Sequence, residues 1–117
     1  MTDNVRSVDL LTIGEVLVDF ISTERADSLR DTEIFQRYLG GSPANIATNV
    51  SRLGRSAALI AKTGIGAFGQ FLKGALQRNG VRTDYLIMDH RFNTSVIFVS
   101  RTRVPRTLSH FEVPIFI

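Results

Sequence analysis

The sequence predicts an α/β fold in which parallel strands are joined by right-handed crossovers, and three observations carry that prediction. Branched apolar runs suited to buried strands alternate with two stretches of helical apolar periodicity of 10 to 13 residues. Each helical stretch ends on a glycine, Gly54 or Gly80. With 117 residues, 44% hydrophobic and 21% charged, the chain has the size and balance of one globular unit with a modest core.

The first strand is expected over 8–20, VDLLTIGEVLVDF, continuing past a kink or bulge at Gly14-Glu15 and carrying Asp19 at its end. Residues 22–33 are polar and charged and read as a surface loop. Phe35 to Leu39 is a short second strand running into a turn or hinge at Gly40-Gly41. A helix follows over 43–53: the Ser42 hydroxyl can cap it, and Pro43 sits at the first helical position, where a missing N–H costs nothing. Ile46, Ala47, Val50 and Leu53 then share one face. Ser56 to Ala61 is a buried strand, and Phe68, Phe71, Leu72, Ala75 and Leu76 mark a second amphipathic helix. Tyr85 to Met88 and Ser95 to Val99 are further strands.

Composition excludes several functions. There is no cysteine, so disulfides, thiolate zinc sites, iron–sulfur clusters and a cysteine nucleophile are ruled out. Apolar stretches reach about five residues, against the roughly 20 needed to cross a bilayer, so no membrane partner is expected. MTDNVRSVDL lacks the basic start and apolar run of a signal peptide, and a cytoplasmic location is expected. Charge is divided: residues 1–50 carry 4 basic and 8 acidic side chains, whereas 51–117 carry 10 and 3. These cations are spread out without interleaved aromatics, so they read as solvated faces and no nucleic-acid partner is expected.

Two glycine motifs can carry chemistry. Gly64-Ile-Gly66-Ala-Phe-Gly69 is a GxGxxG that follows a strand and opens a helix, with Asp89 near the end of the next strand. That is the context of a dinucleotide site, with the pyrophosphate at the helix N-terminus and the acid on the ribose. It starts more than halfway along the chain, which leaves little room for the remaining strands of such a unit. The other motif is Gly40-Gly41-Ser42-Pro43-Ala44-Asn45. Paired glycines allow close backbone approach, the helix start aims N–H groups at the same point, and Asn45 offers an amide oxygen and NH2 together, which suits neighbouring sugar hydroxyls. Asp19 adds a carboxylate acceptor. By spacing alone the same residues also make an ordinary turn, cap and loop acid.

FQRYLGGSPANIATNVSRLG resembles the N-terminal signature of the ribokinase-like (PfkB-type) carbohydrate kinases. DLLTIGEVLVDF, SAALIAKTGIGAFGQFLKGALQRNGV and NTSVIFVSRT resemble, in order, the family's first strand, its next strand and helix, and a lid strand. The resemblance covers 8–102 and implies the N-terminal portion of a doubly wound, mostly parallel α/β fold with a small β lid, whose lid strands fall near 35–41 and 94–101. It also implies phosphoryl transfer from ATP, with Mg2+, to a sugar hydroxyl, nearest the fructokinase and sugar-acid kinase branch. Substrate-binding roles are thereby implied for Asp19, Gly40, Gly41 and Asn45, with Gly40-Gly41 as lid hinge, Ile97 to Arg101 over the substrate, and Arg101 as ligand of an acidic sugar. The family usually has an acidic residue where this chain has Gly66, so the second helix is expected to lack a cap.

The family's chains are more than twice this length, and their GAGD-type motif, which supplies the catalytic base, has no counterpart here. No catalytic residue, bound nucleotide or bound metal is therefore expected in this chain, and no turnover from it alone. After Thr102 the pattern breaks off. With freely chosen codons, Thr102 to Ile117 read from the third base of the Thr102 codon gives AGTPDFEPFRSADFY, which resembles the family's continuation, so 103–117 is expected to be a frame-shifted tail. The expected partner is a small sugar, with a homodimer through the lid strands as a second association. Rival readings are a non-catalytic α/β sugar-binding or dimerisation module and a dinucleotide-binding fragment. An exposed sheet edge and apolar helix faces predict self-association.

Overall fold

Gly14, at φ 150°, turns the chain so sharply that the strand expected over 8–20 becomes two strands in different sheets. A Cβ at Gly14 would meet Pro43 Cγ at 2.6 Å, so only glycine fits the corner. The computed structural model describes residues 7–101 and 111–112. Before the corner lies β1 (Leu10–Ile13); after it, β2 (Leu17–Arg25) runs well into the segment expected to be a loop. A single 3-10 turn, Leu29–Asp31, precedes β3 (Phe35–Gly40). Then come α1 (Ser42–Arg52), β4 (Ala57–Thr63), α2 (Ala67–Arg78), β5 (Leu86–Met88), β6 (Ser95–Arg101) and the two-residue β7 (Phe111–Glu112).

The strands form two sheets. One has the order β1-β4-β5 and is wholly parallel, with Ile13 beside Ile60 and Thr63 beside Met88. The other has the order β3-β2-β6-β7. In it β2 is antiparallel to β3, with Asp19 opposite Tyr38, and parallel to β6, with Asp19 beside Ile97. The segments expected as lid strands therefore lie in one sheet, on either side of β2. Of the tail, only Phe111 and Glu112 are described, pairing antiparallel with Val99 and Phe98; the rest of 103–117 lies outside the described residues.

Both helices pack on one face of the parallel sheet. Ala57, Leu59 and Ala61 of β4 share a cluster with Ala44 and Ala47 of α1 and with Leu72 and Leu76 of α2. Each fully buried leucine contributes about 1.5–3 kcal/mol of transfer free energy. The apolar face expected of the first helix is corrected in part: Ala47 is buried and Val50 packs on the core as expected, but Ala44 and Thr48 are also buried while Ile46 and Leu53 are 51% and 84% exposed. The periodicity weighted the large residues, whereas close approach to the sheet selects the small ones. Leu72, Ala75 and Leu76 of α2 are buried as expected, and its two phenylalanines turn to the second sheet. Phe68 stands edge-on to Phe20 at 5.4 Å, Phe20 stacks on Phe98 at 5.1 Å, and the Arg37 guanidinium lies 4.2 Å over Phe71.

Candidate functional site

The residues that connect the two sheets form the walls of a cavity of about 470 Å³, lined by Glu15, Leu17, Asp19, Gly41, Ser42, Asn45 and Ile97. Alternation along the strand places Leu17 and Asp19 on one face of β2, and the register sets Ile97 of β6 beside Asp19. Opposite them is the start of α1. Gly41 is its N-cap at φ 98°, which corrects the expectation of Ser42 as cap and Pro43 as first helical residue: Ser42 is the first helical residue. The Gly41 carbonyl accepts from Asn45 N–H at 2.9 Å, and no side chain caps the helix. The N–H groups of Ser42 and Ala44 are thus without an intrahelical partner.

Two glycines let these pieces close together. A Cβ on Gly41 would lie 2.6 Å from the Glu15 carbonyl oxygen, so the β1–β2 and β3–α1 connections touch only because it is absent. Gly40 does not line the cavity but backs it, directly behind the Asp19 carboxylate. Burial, and then the charge of Glu15, raise the Asp19 carboxyl above its ordinary value.

Of the five residues expected to bind substrate, Asp19, Gly41 and Asn45 come together around the cavity, and Gly40 supports Asp19 from behind. Arg101 does not join them. It lines a separate depression with Ile21, Ser22, Thr23, Gln36 and Tyr38. It is four residues beyond Ile97, about 13 Å along the strand at 3.3 Å per residue. Glu15, Leu17 and Ser42 line the cavity without having been singled out. The alternation Glu15, Leu17, Asp19 was the available signal, hidden by reading Gly14-Glu15 as a kink inside one strand.

The GxGxxG segment is built differently. Gly69 packs beneath the Gly64 carbonyl, and a Cβ on Gly64 would meet the Phe92 carbonyl oxygen at 2.6 Å, so both glycines serve internal contacts. Asp89, the expected ribose acid, accepts from Arg91 N–H at 2.9 Å, Arg91 Nε at 3.1 Å and Arg91 Nη2 at 2.9 Å, with Lys62 Nζ at 3.5 Å. These Arg91 hydrogen bonds first, and then the two cationic charges, hold its carboxyl well below the usual carboxylate range. Its oxygens are already engaged, which does not fit a nucleotide ribose. Gly66 leads α2 with no side-chain cap, as its missing acidic group implied. Among the described residues no three His, Cys, Asp or Glu side chains gather as a metal site. No described helix is long and apolar enough to cross a membrane.

Known proteins share this architecture. The fructokinase of Halothermothrix orenii superposes with a TM-score of 0.76 at 42% identity, over 82% of this chain and 35% of its own. An uncharacterized sugar kinase of Pyrococcus horikoshii, solved in complex with ATP, gives 0.79 at 36% identity, over 90% of this chain and 33% of its own. The ATP-dependent 6-phosphofructokinase of Thermoanaerobacterium thermosaccharolyticum is 35% identical over 98 residues, which are 84% of this chain and 30% of that protein. The chain thus spans about a third of the length of these relatives. The sequence model of the pfkB family carbohydrate kinases matches residues 8–112. The structural neighbours carry the ribokinase-like fold that the resemblance implied. With the family match spanning nearly all of the described residues, the chain belongs to the pfkB family of carbohydrate kinases.

Proposed function

We propose that this chain is the sugar-binding part of an ATP-dependent carbohydrate kinase and that its substrate is a neutral, fructose-like sugar. The single observation that carries the reading is the convergence of Asp19, Asn45 and the uncapped start of α1 on one cavity. A carboxylate acceptor, an amide that donates and accepts, and free backbone N–H groups suit a run of sugar hydroxyls. Two carboxylates, Glu15 and Asp19, line the cavity, and among the described residues no cation does. That charge favours a neutral sugar over a keto-sugar acid or a sugar phosphate, since Arg101 stands about 13 Å along the strand, beyond the reach of one monosaccharide. Asp19 and Asn45 orient the sugar, and Gly40-Gly41 joins the second sheet to α1 as its hinge. Among the described residues no three His, Cys, Asp or Glu side chains gather as a metal site; the nucleotide site and the catalytic base are placed in the part of the kinase fold that these residues do not span, and no turnover is expected from them alone.

The test is saturation-transfer NMR on the full chain with fructose, fructose 6-phosphate and a 2-keto-3-deoxy sugar acid. Transfer to fructose alone, lost in Asp19→Ala and in Asn45→Ala, supports the reading. Equal transfer in both variants would assign the signal to incidental association, and stronger transfer to either anion would reject the neutral substrate.

A further inference from the structure

The sugar cavity has a neighbour on the same face of its sheet. Cross-strand partners in an antiparallel pair share a face, and β2 and β3 set Asp19 opposite Tyr38 and Ile21 opposite Gln36. Asp19 lines the first cavity, of about 470 Å³. Ile21, Gln36 and Tyr38 line the depression of about 300 Å³ that also holds Thr23 and Arg101. The two hollows are therefore consecutive along β2, one step of two residues apart, or about 7 Å at 3.3 Å per residue. Their boundary is a single cross-strand pair, in which Asp19 lines one hollow and Tyr38 the other.

The second hollow offers a guanidinium, an amide, a phenol and a hydroxyl, with no carboxylate among its described lining residues. Arg101 enters no ion pair among the described residues, so its donors are open to the hydroxyls of a second sugar ring. The Tyr38 ring stands at the crossing, 44% exposed and otherwise held against the sheet. Its strand has little freedom to carry it aside. Two residues on, a Cβ at Gly40 would stand 2.6 Å from the Asp19 carboxyl carbon, so β3 lies close against β2 here.

We propose that Tyr38 is a specificity-determining residue: its ring closes the sugar cavity at the end that faces Arg101 and confines the substrate to a single sugar ring. The inference rests on the sugar-binding reading above. A wall that rejects a larger rival sets specificity by steric conflict with that rival, and it does so without touching the true substrate. Tyr38 accordingly borders the sugar cavity without lining it.

The experiment is saturation-transfer NMR on the full 117-residue chain with fructose and with sucrose, a fructosyl ring bearing a second hexose. The parent chain and Tyr38→Phe, which keeps the ring, should show transfer to fructose and none above background to sucrose. Tyr38→Ala and Tyr38→Thr should raise sucrose transfer at least tenfold over the parent, with the second hexose among the saturated protons. The threonine variant keeps a strand-forming residue on what is an edge strand of this sheet. Adding Arg101→Met to either truncation should remove the gain. Sucrose refused by both truncations while fructose still binds, sucrose bound by the parent as well as fructose is, or a gain indifferent to Arg101→Met would each overturn the inference and leave the sugar reading standing. Absence of fructose transfer to the parent would reject that reading, and the inference with it.

Discussion

Gly40 lies flush against Asp19: a Cβ built on the glycine would stand 2.6 Å from the carboxyl carbon and 2.7 Å from Leu17 Cδ1. The two residues are on neighbouring antiparallel strands, Gly40 opposite Leu17 and Asp19 opposite Tyr38. The missing side chain is therefore the space into which the carboxylate is set, and Gly40 backs the cavity from behind Asp19.

Gly40→Ala should displace the Asp19 carboxylate and overpack the strand pair, costing about 1–3 kcal/mol. Urea unfolding checks the stability, and fructose saturation transfer checks the carboxylate. A variant that unfolds like the parent and binds unchanged would show that Asp19 has room to move.

Gly66 is the opposite case. It is the N-cap of α2 with extended backbone, φ −75° and ψ −167°, and a Cβ there meets nothing within 4 Å. Gly66→Asp places an acceptor and a negative charge at the start of a 12-residue helix. The gain should be about 0.5–1.5 kcal/mol from the cap, the helix dipole and a less flexible unfolded chain. A raised urea midpoint measures it, and a lowered one would mean that the helix start is held by something other than its own N–H groups.

The two helices and the strand–helix alternation were legible in the sequence because periodicity and glycine punctuation are local signals, whereas Asp19, Gly41 and Asn45 were grouped only by the family resemblance, since their spacing alone also reads as a turn, a cap and a loop acid. The division of 8–20 between two sheets was not. Continuous apolar character reads the same whether a strand runs on or turns a corner, and only the contact of Gly14 with Pro43, 29 residues away, decides it. Burial of Ala44 and Thr48 in place of Ile46 and Leu53 was hidden for a similar reason, since tertiary closeness selects size, which hydropathy does not encode. Arg101 shared a strand with Ile97, and the sequence alone gave no measure of how far along that strand the cavity ends.

The frame-shifted reading of 103–117 predicts DNA. The locus, sequenced from codon 95 through several hundred bases past codon 117, should encode AGTPDFEPFRSADFY in the neighbouring frame and, further on, a GAGD-type motif. The family match that runs on to residue 112 and the pairing of Phe111 with Val99 give the alternative its content. If no kinase-like continuation lies in the neighbouring frame, Phe111–Glu112 is an authentic edge strand of the second sheet.

Acid stability should turn on two aspartates that act in opposite directions. Asp89 is held below its ordinary value of 3.8 by hydrogen bonds from Arg91, so as pH falls the unfolded chain takes up a proton that the native state resists. Its contribution is complete above about pH 4 and is lost on further acidification. Asp19 is raised above 3.8 by burial and by Glu15, so the native state holds a proton that the unfolded chain has released. Stability from this group is greatest below 3.8 and declines as pH rises through the raised value. Asp9, held low by the backbone N–H and hydroxyl of Ser56, adds to the acid side. Urea midpoints taken in steps from pH 3 to pH 7 should therefore rise and then sag. Asp19→Asn should remove the sag and leave the acid limb in place, whereas Asp89→Asn should flatten the acid limb and lower the midpoint at pH 7 by stripping Arg91 and Lys62 of their partner. A sag that survives Asp19→Asn would place the raised carboxyl elsewhere and show that the Asp19 carboxylate is better solvated than its position between Glu15 and Gly40 implies.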